Sequence, residues 1–191
     1  YLKNGSYVQI SSNGNFIPGS SDMWCGTTVN PFAGGYSTGG WKTTSDERVK
    51  KDFVSLDDYA RFEAFFYLLN PTEYKLKSDK DGFVRVGFGA QTVKAAMDAA
   101  GIAESEFHGF SHEYVDMSQF ETEEERQQFL ERNCGNADTY SLSYQEFIAL
   151  NTHMIQKQHQ EIEQLKSDNF ALKGEVDILK QKLKRLEEKL C

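Results

Sequence analysis

The chain has 191 residues and a formal net charge of −8. That length holds one globular domain plus an extended element, and the acidic balance gives no support for nucleic-acid binding. No apolar run reaches the length of a membrane span, and Cys25, Cys134 and Cys191 form no Cys-x-x-Cys pair, so neither a disulfide framework nor a zinc site is indicated.

Three odd, widely spaced cysteines fit a reducing compartment, and there is no signal-peptide pattern. A start at Tyr1 without Met reads as a fragment of a longer polypeptide. No cofactor is expected.

Residues 1–44 carry three charged side chains, Lys3, Asp22 and Lys42, and eight glycines. Ser6-Tyr7-Val8-Gln9-Ile10 leans toward β structure, while Ser11–Asn15 and Ala33–Gly35 read as turns. So short and apolar-poor a segment cannot bury a core alone. It is expected to be the end of something larger, or to pair with copies of itself.

Charge appears abruptly at Thr44-Ser45-Asp46-Glu47-Arg48-Val49-Lys50-Lys51. Two readings compete there. Thr44-x-x-Glu47 has the form of a capping box, so the stretch can simply start a helix. Alternatively, Ser45 and Lys50 can act as nucleophile and base. A hydroxyl is a weak nucleophile until its proton is taken, and a neutral lysine can take it. Arg48 and Lys51 favour the neutral amine at Lys50, and Asp46 and Glu47 oppose it. Five residues rotate about 140° away from one helical face, so the pair can meet only across a turn or a helix start.

Residues 46–142 read as a compact α+β unit. Ser55-x-x-Asp58 resembles a capping box, and the helix after it turns Leu56, Phe62, Phe65, Phe66 and Leu69 toward a core until Asn70-Pro71 ends it. Glu73–Lys77 reads as a strand, Asp79–Gly82 as a turn, and Phe83–Phe88 as the hairpin partner. Ala90–Ala100 is a second helix stopped by Gly101. Glu121–Arg132 is a short helix with an acidic face; the rest of Phe107–Asp138 carries no readable pattern.

Residues 143–191 give the strongest signal. Ser143-x-x-Glu146 is a capping box, no Pro follows, and only Gly174 interrupts good helix formers. With Leu165, Leu172, Leu179 and Leu186 at d, position a holds Ile148, Ile155, Ile162, Asn169, Val176, Leu183 and Leu190. The g residues Glu161, Asp168, Glu175 and Lys182 face the e′ residues Lys166, Lys173, Lys180 and Glu187, opposite in sign in every pair. Such pairs meet only between parallel, in-register helices, so a parallel homo-oligomer is expected. Asn169 at a leans toward two strands. Asn151 and Gln158 at d can meet on a threefold axis, so the heptads alone leave two and three strands open.

Four separated stretches carry a resemblance. Thr44–Phe53, "TSDERVKKDF", resembles the Ser-Asp-x-Arg-x-Lys signature of the intramolecular chaperone domain of endosialidases and other phage tailspikes and tail fibres, which is also similar to the self-cleaving region of myelin regulatory factor. "LLNPTEYKLK", "GFGAQTV" and "LSYQEFIALNTHMIQKQHQEIEQL" resemble its later motifs, in the same order, over about residues 44–165.

The resemblance implies a homotrimer at the C-terminus of a fibre protein. Such a domain templates a stalk, often a triple β-helix, and then releases itself. Residues 1–45 would be the end of that stalk, the folding client; 46–142 the chaperone domain; and 143–191 the parallel trimeric coiled coil, with Ile162, Leu165, Asn169, Leu172, Val176, Leu179, Leu183 and Leu186 in its seam. Ser45 would be the nucleophile and Lys50 the base of a single-turnover self-cleaving peptidase. The implied cut is Ser45–Asp46. Attack on the serine's own carbonyl closes a four-membered ring, whereas attack on that of Thr44 closes a five-membered one, so simple chemistry favours Thr44–Ser45. The implied location is the host cytoplasm during phage assembly, with the upstream fibre going to the virion tail.

Two other classes remain. One is a non-cleaving structural tip of a fibre or adhesin, clamped by the coiled coil. The other is a metal site on His108-x-x-x-His112, which lacks a HExxH pattern and a third ligand. His153 and His159 read as exposed or interfacial residues of the long helix.

Overall fold

The computed structural model describes residues 8–10, 12, 16–18, 43–77 and 82–190. Most of the expected stalk end, the Ala33–Gly35 turn, Asp79–Asp81, Cys25 and Cys191 lie outside the described residues. One compact unit takes in Lys51–His112 and Tyr140–Cys191; the other takes in Tyr1–Lys50 and Glu113–Thr139.

In the first unit, Ser55 Oγ accepts the amide of Asp57 at 3.2 Å and donates to its Oδ2 at 3.1 Å. This local bonding holds Leu56–Asp58 as a 3-10 turn. Helix α1 therefore starts only at Ala60 and runs to Leu68, with Tyr59 at its N-cap. The box expected over Ser55–Asp58 caps this turn instead of the helix. Phe62, Phe65, Phe66 and Leu69 follow at helical spacing and all pack into the core, Phe65 completely. Leu69 is already extended ahead of Asn70-Pro71.

Strands β3 (Thr72–Tyr74) and β4 (Arg85–Gly87) pair antiparallel, with Thr72 opposite Gly87 and Tyr74 opposite Arg85. Helix α2 (Ala90–Ala99) buries Val93, Ala96 and Met97. Gly101 ends it at φ +71°, its amide bonding to Asp98 O at 3.1 Å and that of Ile102 to Met97 O at 2.9 Å. Both bonds of a Schellman cap are thus made, and buried Ile102 supplies its apolar contact.

Helix α4 (Glu146–Leu190) is 45 residues long. Its first turns dock through Phe147, Leu150 and Met154, all buried. Phe147 sits among aromatic rings, edge-on to Phe107 at 5.3 Å and stacked on Phe88 at 5.3 Å. Each such burial stabilises the fold by ~1.5–3 kcal/mol. Ile148 and Ile155, at the heptad a positions, lie on a different stripe and are each 65% exposed. One helix thus carries two apolar stripes, of which the described residues cover one.

In the second unit, helix α3 (Glu123–Arg132) begins with a complete capping box: Glu125 N donates to Thr122 Oγ1 at 3.1 Å and Thr122 N to Glu125 Oε2 at 3.2 Å. Phe129 packs on Val115, Met117, Phe120 and Leu130 in a small core. Strands β1 (Val8–Ile10) and β2 (Phe16–Pro18) form an antiparallel pair with Val8 opposite Pro18.

Strands β5 (Phe110–Tyr114) and β6 (Asp138–Leu142) form a third two-stranded sheet. This sheet occupies part of the stretch that the sequence left unassigned. His108 lies in a turn and His112 on β5, stacked on Tyr140 at 4.1 Å, so the helical spacing a shared metal would need is not formed. The architecture is mixed helices and small antiparallel sheets with a long C-terminal helix.

Candidate functional site

The Ser45–Lys50 stretch is built on one 3-10 turn, Glu47–Val49. Asp46 precedes it in an extended conformation (φ −69°, ψ 123°) and is the N-cap, its Oδ1 accepting the Arg48 amide at 2.9 Å. Lys50 closes the turn with its amide on Glu47 O at 3.0 Å and is itself extended (φ −107°, ψ 158°). Three residues make one full turn of a 3-10 helix. The extended residues flanking this turn therefore return to the same side, and Lys50 Nζ donates to Ser45 Oγ at 2.7 Å. The structure thus brings together the two residues singled out as nucleophile and base. It does so across a turn, which a continuous helix would not allow.

The helix-start reading is corrected in its detail. The cap is Asp46 and not Thr44, because an aspartate directly before the turn reaches the amide two residues on. The available signal was the Asp-x-Arg spacing. Arg48 also has a different role from the one expected. Its guanidinium folds back on Asp46, with Nε 3.0 Å from both carboxylate oxygens and Nη2 2.5 Å from Oδ2. That side-chain pairing, then the backbone bond to Arg48, holds the Asp46 carboxyl below the usual carboxylate range. Ser45, Lys50 and Lys51 are all exposed.

Over residues 45–102 the chain matches the model of a peptidase family described as chaperone of endosialidase. The match begins at Ser45 itself. No curated protein matches the chain. Among solved structures, it is similar to the carboxy-terminal domain of the bacteriophage T5 L-shaped tail fibre with its intra-molecular chaperone domain, at a TM-score of 0.58 and 15% identity. That likeness concerns the fold; it covers 82% of this chain and 40% of the fibre chain.

The matched segment takes in Ser45 and Lys50, α1, the β3–β4 hairpin and α2. Beyond it, the residues expected in a coiled-coil seam, Ile162, Leu165, Leu172, Val176, Leu179, Leu183 and Leu186, run exposed along α4. Asn169 bonds Leu165 O through its side-chain amide at 2.8 Å. Among the described residues, no group of three or more His, Cys, Asp or Glu side chains is placed to hold a metal ion, and no helix is long and apolar enough to cross a membrane.

Proposed function

We propose that the chain is an intramolecular chaperone which trimerises through α4, templates the fold of an upstream phage tail fibre or tailspike segment, and is then released by its own Ser45–Lys50 dyad at Ser45–Asp46. The observation that carries the reading is the 2.7 Å contact of Lys50 Nζ with Ser45 Oγ at the first residue of the family match. The neutral amine of Lys50 takes the proton of Ser45 Oγ; the oxygen adds to the carbonyl of Ser45 itself, closing a four-membered lactone as its C–N bond to Asp46 breaks; and the proton passes to the leaving Asp46 amine. Water then opens the lactone, so the net change is hydrolysis of one peptide bond.

The uncovered a/d stripe of α4 and its complementary g–e′ charges support parallel self-association. Three in-register helices raise the local concentration of the attached chains and fix their register. This trimer would act in the host cytoplasm during assembly, leaving the fibre on the virion tail. The client is the upstream part of the same polypeptide.

Intact mass tests the reading. Wild type should yield two fragments. Ser45→Ala, Lys50→Ala and Lys50→Arg should each yield one, because a guanidinium does not act as a base. A fragment starting at Asp46 fits the proposed bond; one starting at Ser45 fits acyl transfer from Thr44. Cleavage should be unimolecular, since each chain or trimer supplies its own site. A wild-type chain that stays whole when fully assembled at alkaline pH refutes the peptidase and leaves a permanent structural clamp.

A further inference from the structure

Ser45 and Lys50 are exposed, and the single turn between them has no buried residue to fix it. An isolated turn of this size is marginal in water, because it fixes several dihedrals for few hydrogen bonds. Among the described residues, three bonds define it: Val49 N to Asp46 O at 3.2 Å, Lys50 N to Glu47 O at 3.0 Å, and the Asp46 side chain on the Arg48 amide at 2.9 Å. Of these, the side-chain bond alone depends on residue type. Arg48 adds an ionic leg that keeps the carboxylate aimed at the turn, but the guanidinium side chain is 88% exposed and such pairs contribute little.

We infer that Asp46 is the positioning residue of the dyad: its side chain, aimed by Arg48, populates the turn that places Ser45 Oγ against Lys50 Nζ. The inference rests on the reading of Ser45 and Lys50 as nucleophile and base. It assigns Asp46 no proton transfer. What matters is an acceptor oxygen at the cap, and the charge is secondary. Asparagine ranks with aspartate as a cap, whereas alanine offers no acceptor.

Two readouts test this on the full chain. The first is the cleavage rate of Asp46→Ala and Asp46→Asn. The second is the backbone chemical shifts and amide couplings of Glu47–Val49 by NMR, in a Ser45→Ala background that stays whole. Loss of an ordinary cap shifts the turn population by about five-fold, so Asp46→Ala should slow cleavage by about that factor and lose the turn signature. Asp46→Asn should retain both within about two-fold.

Asp116→Ala is the control. Asp116 caps a similar 3-10 turn, Met117–Gln119, through the Ser118 amide at 2.9 Å, and its loss should leave the cleavage rate unchanged. An Asp46→Asn variant as slow as Asp46→Ala would overturn the inference in favour of a chemical role for the carboxylate. An Asp46→Ala variant with wild-type rate and turn would overturn it outright. If wild type does not cleave, the peptidase reading fails, and the NMR arm alone decides whether Asp46 holds the turn.

Discussion

Gly87→Ala should be destabilising for a reason that can be removed by a second substitution. Gly87 ends β4, where the chain turns into α2. A methyl group there would stand 2.5 Å from the hydroxyl of Tyr144 and 3.3 Å from Cε1 of Tyr74. That hydroxyl has a partner of its own: the Phe88 amide donates to it at 3.0 Å. Inserting the methyl must therefore move the Tyr144 hydroxyl off the Phe88 amide, so the cost combines crowding with a lost hydrogen bond. Overpacking of this kind costs ~1–3 kcal/mol, and the bond adds ~1 kcal/mol. Tyr144→Phe alone loses only the bond, ~1 kcal/mol. In the double variant the 2.5 Å clash is gone: Cζ of the residue 144 ring is 3.4 Å from the methyl, an ordinary contact, and only the slightly tight 3.3 Å approach of Tyr74 Cε1 remains. The two changes should then cost less together than their sum by ~1 kcal/mol or more, well beyond the ~0.3–0.5 kcal/mol scatter of independent sites. Urea unfolding of the four chains measures this cycle. Additivity within that scatter would refute the account of Gly87 as a seat for the Tyr144 hydroxyl.

The neighbours Phe147 and Ile148 should behave oppositely. Phe147→Ala empties the aromatic core and should cost ~3–5 kcal/mol, whereas Ile148→Asp, together with Ile162→Asp, should spare the fold and lower the assembled mass in sedimentation. Equal effects on unfolding would mean that α4 has no second stripe to offer. Glu106 should give a stability loss in acid. The Ala103 amide, then Arg61, hold its carboxyl below the ordinary value of 4.5, so its contribution is present above that value and is lost as pH falls through the lowered one. The difference in melting temperature between wild type and Glu106→Gln should shrink from neutral pH toward pH 3; a difference that stays flat would contradict the assignment.

What could be read from the sequence depended on how far apart the interacting residues lie. The long helix was legible because its period repeats, and α2 because Gly101 marks a cap whose bonds span six residues. The placement of Ser45 against Lys50 was legible as a pair but not as a geometry. The spacing forbade a helical face, and the 3-10 turn capped by Asp46 is what brings them together. Strands β5 and β6 escaped notice because their partners are separated by α3, and neither alternates cleanly between apolar and polar residues. Residue 87 lay inside a stretch read as a hairpin strand and noted for its resemblance, with no packing role assigned to the glycine. Its physical cause, a tyrosine hydroxyl 57 positions later, is long-range and invisible to local pattern.

The shortness of the Ser45–Lys50 span also has a bearing on time. Two groups separated by one turn meet on the order of 0.1 µs or less, whereas docking α4 onto its domain and bringing whole chains together takes milliseconds or longer. A centre made entirely of neighbours in sequence is present almost as soon as those residues leave the ribosome. A chain that cut itself at that moment would part from its template before using it. On the proposed reading the turn is a trigger with no clock, and the delay between its closure and the cut lies in residues outside Ser45–Lys50.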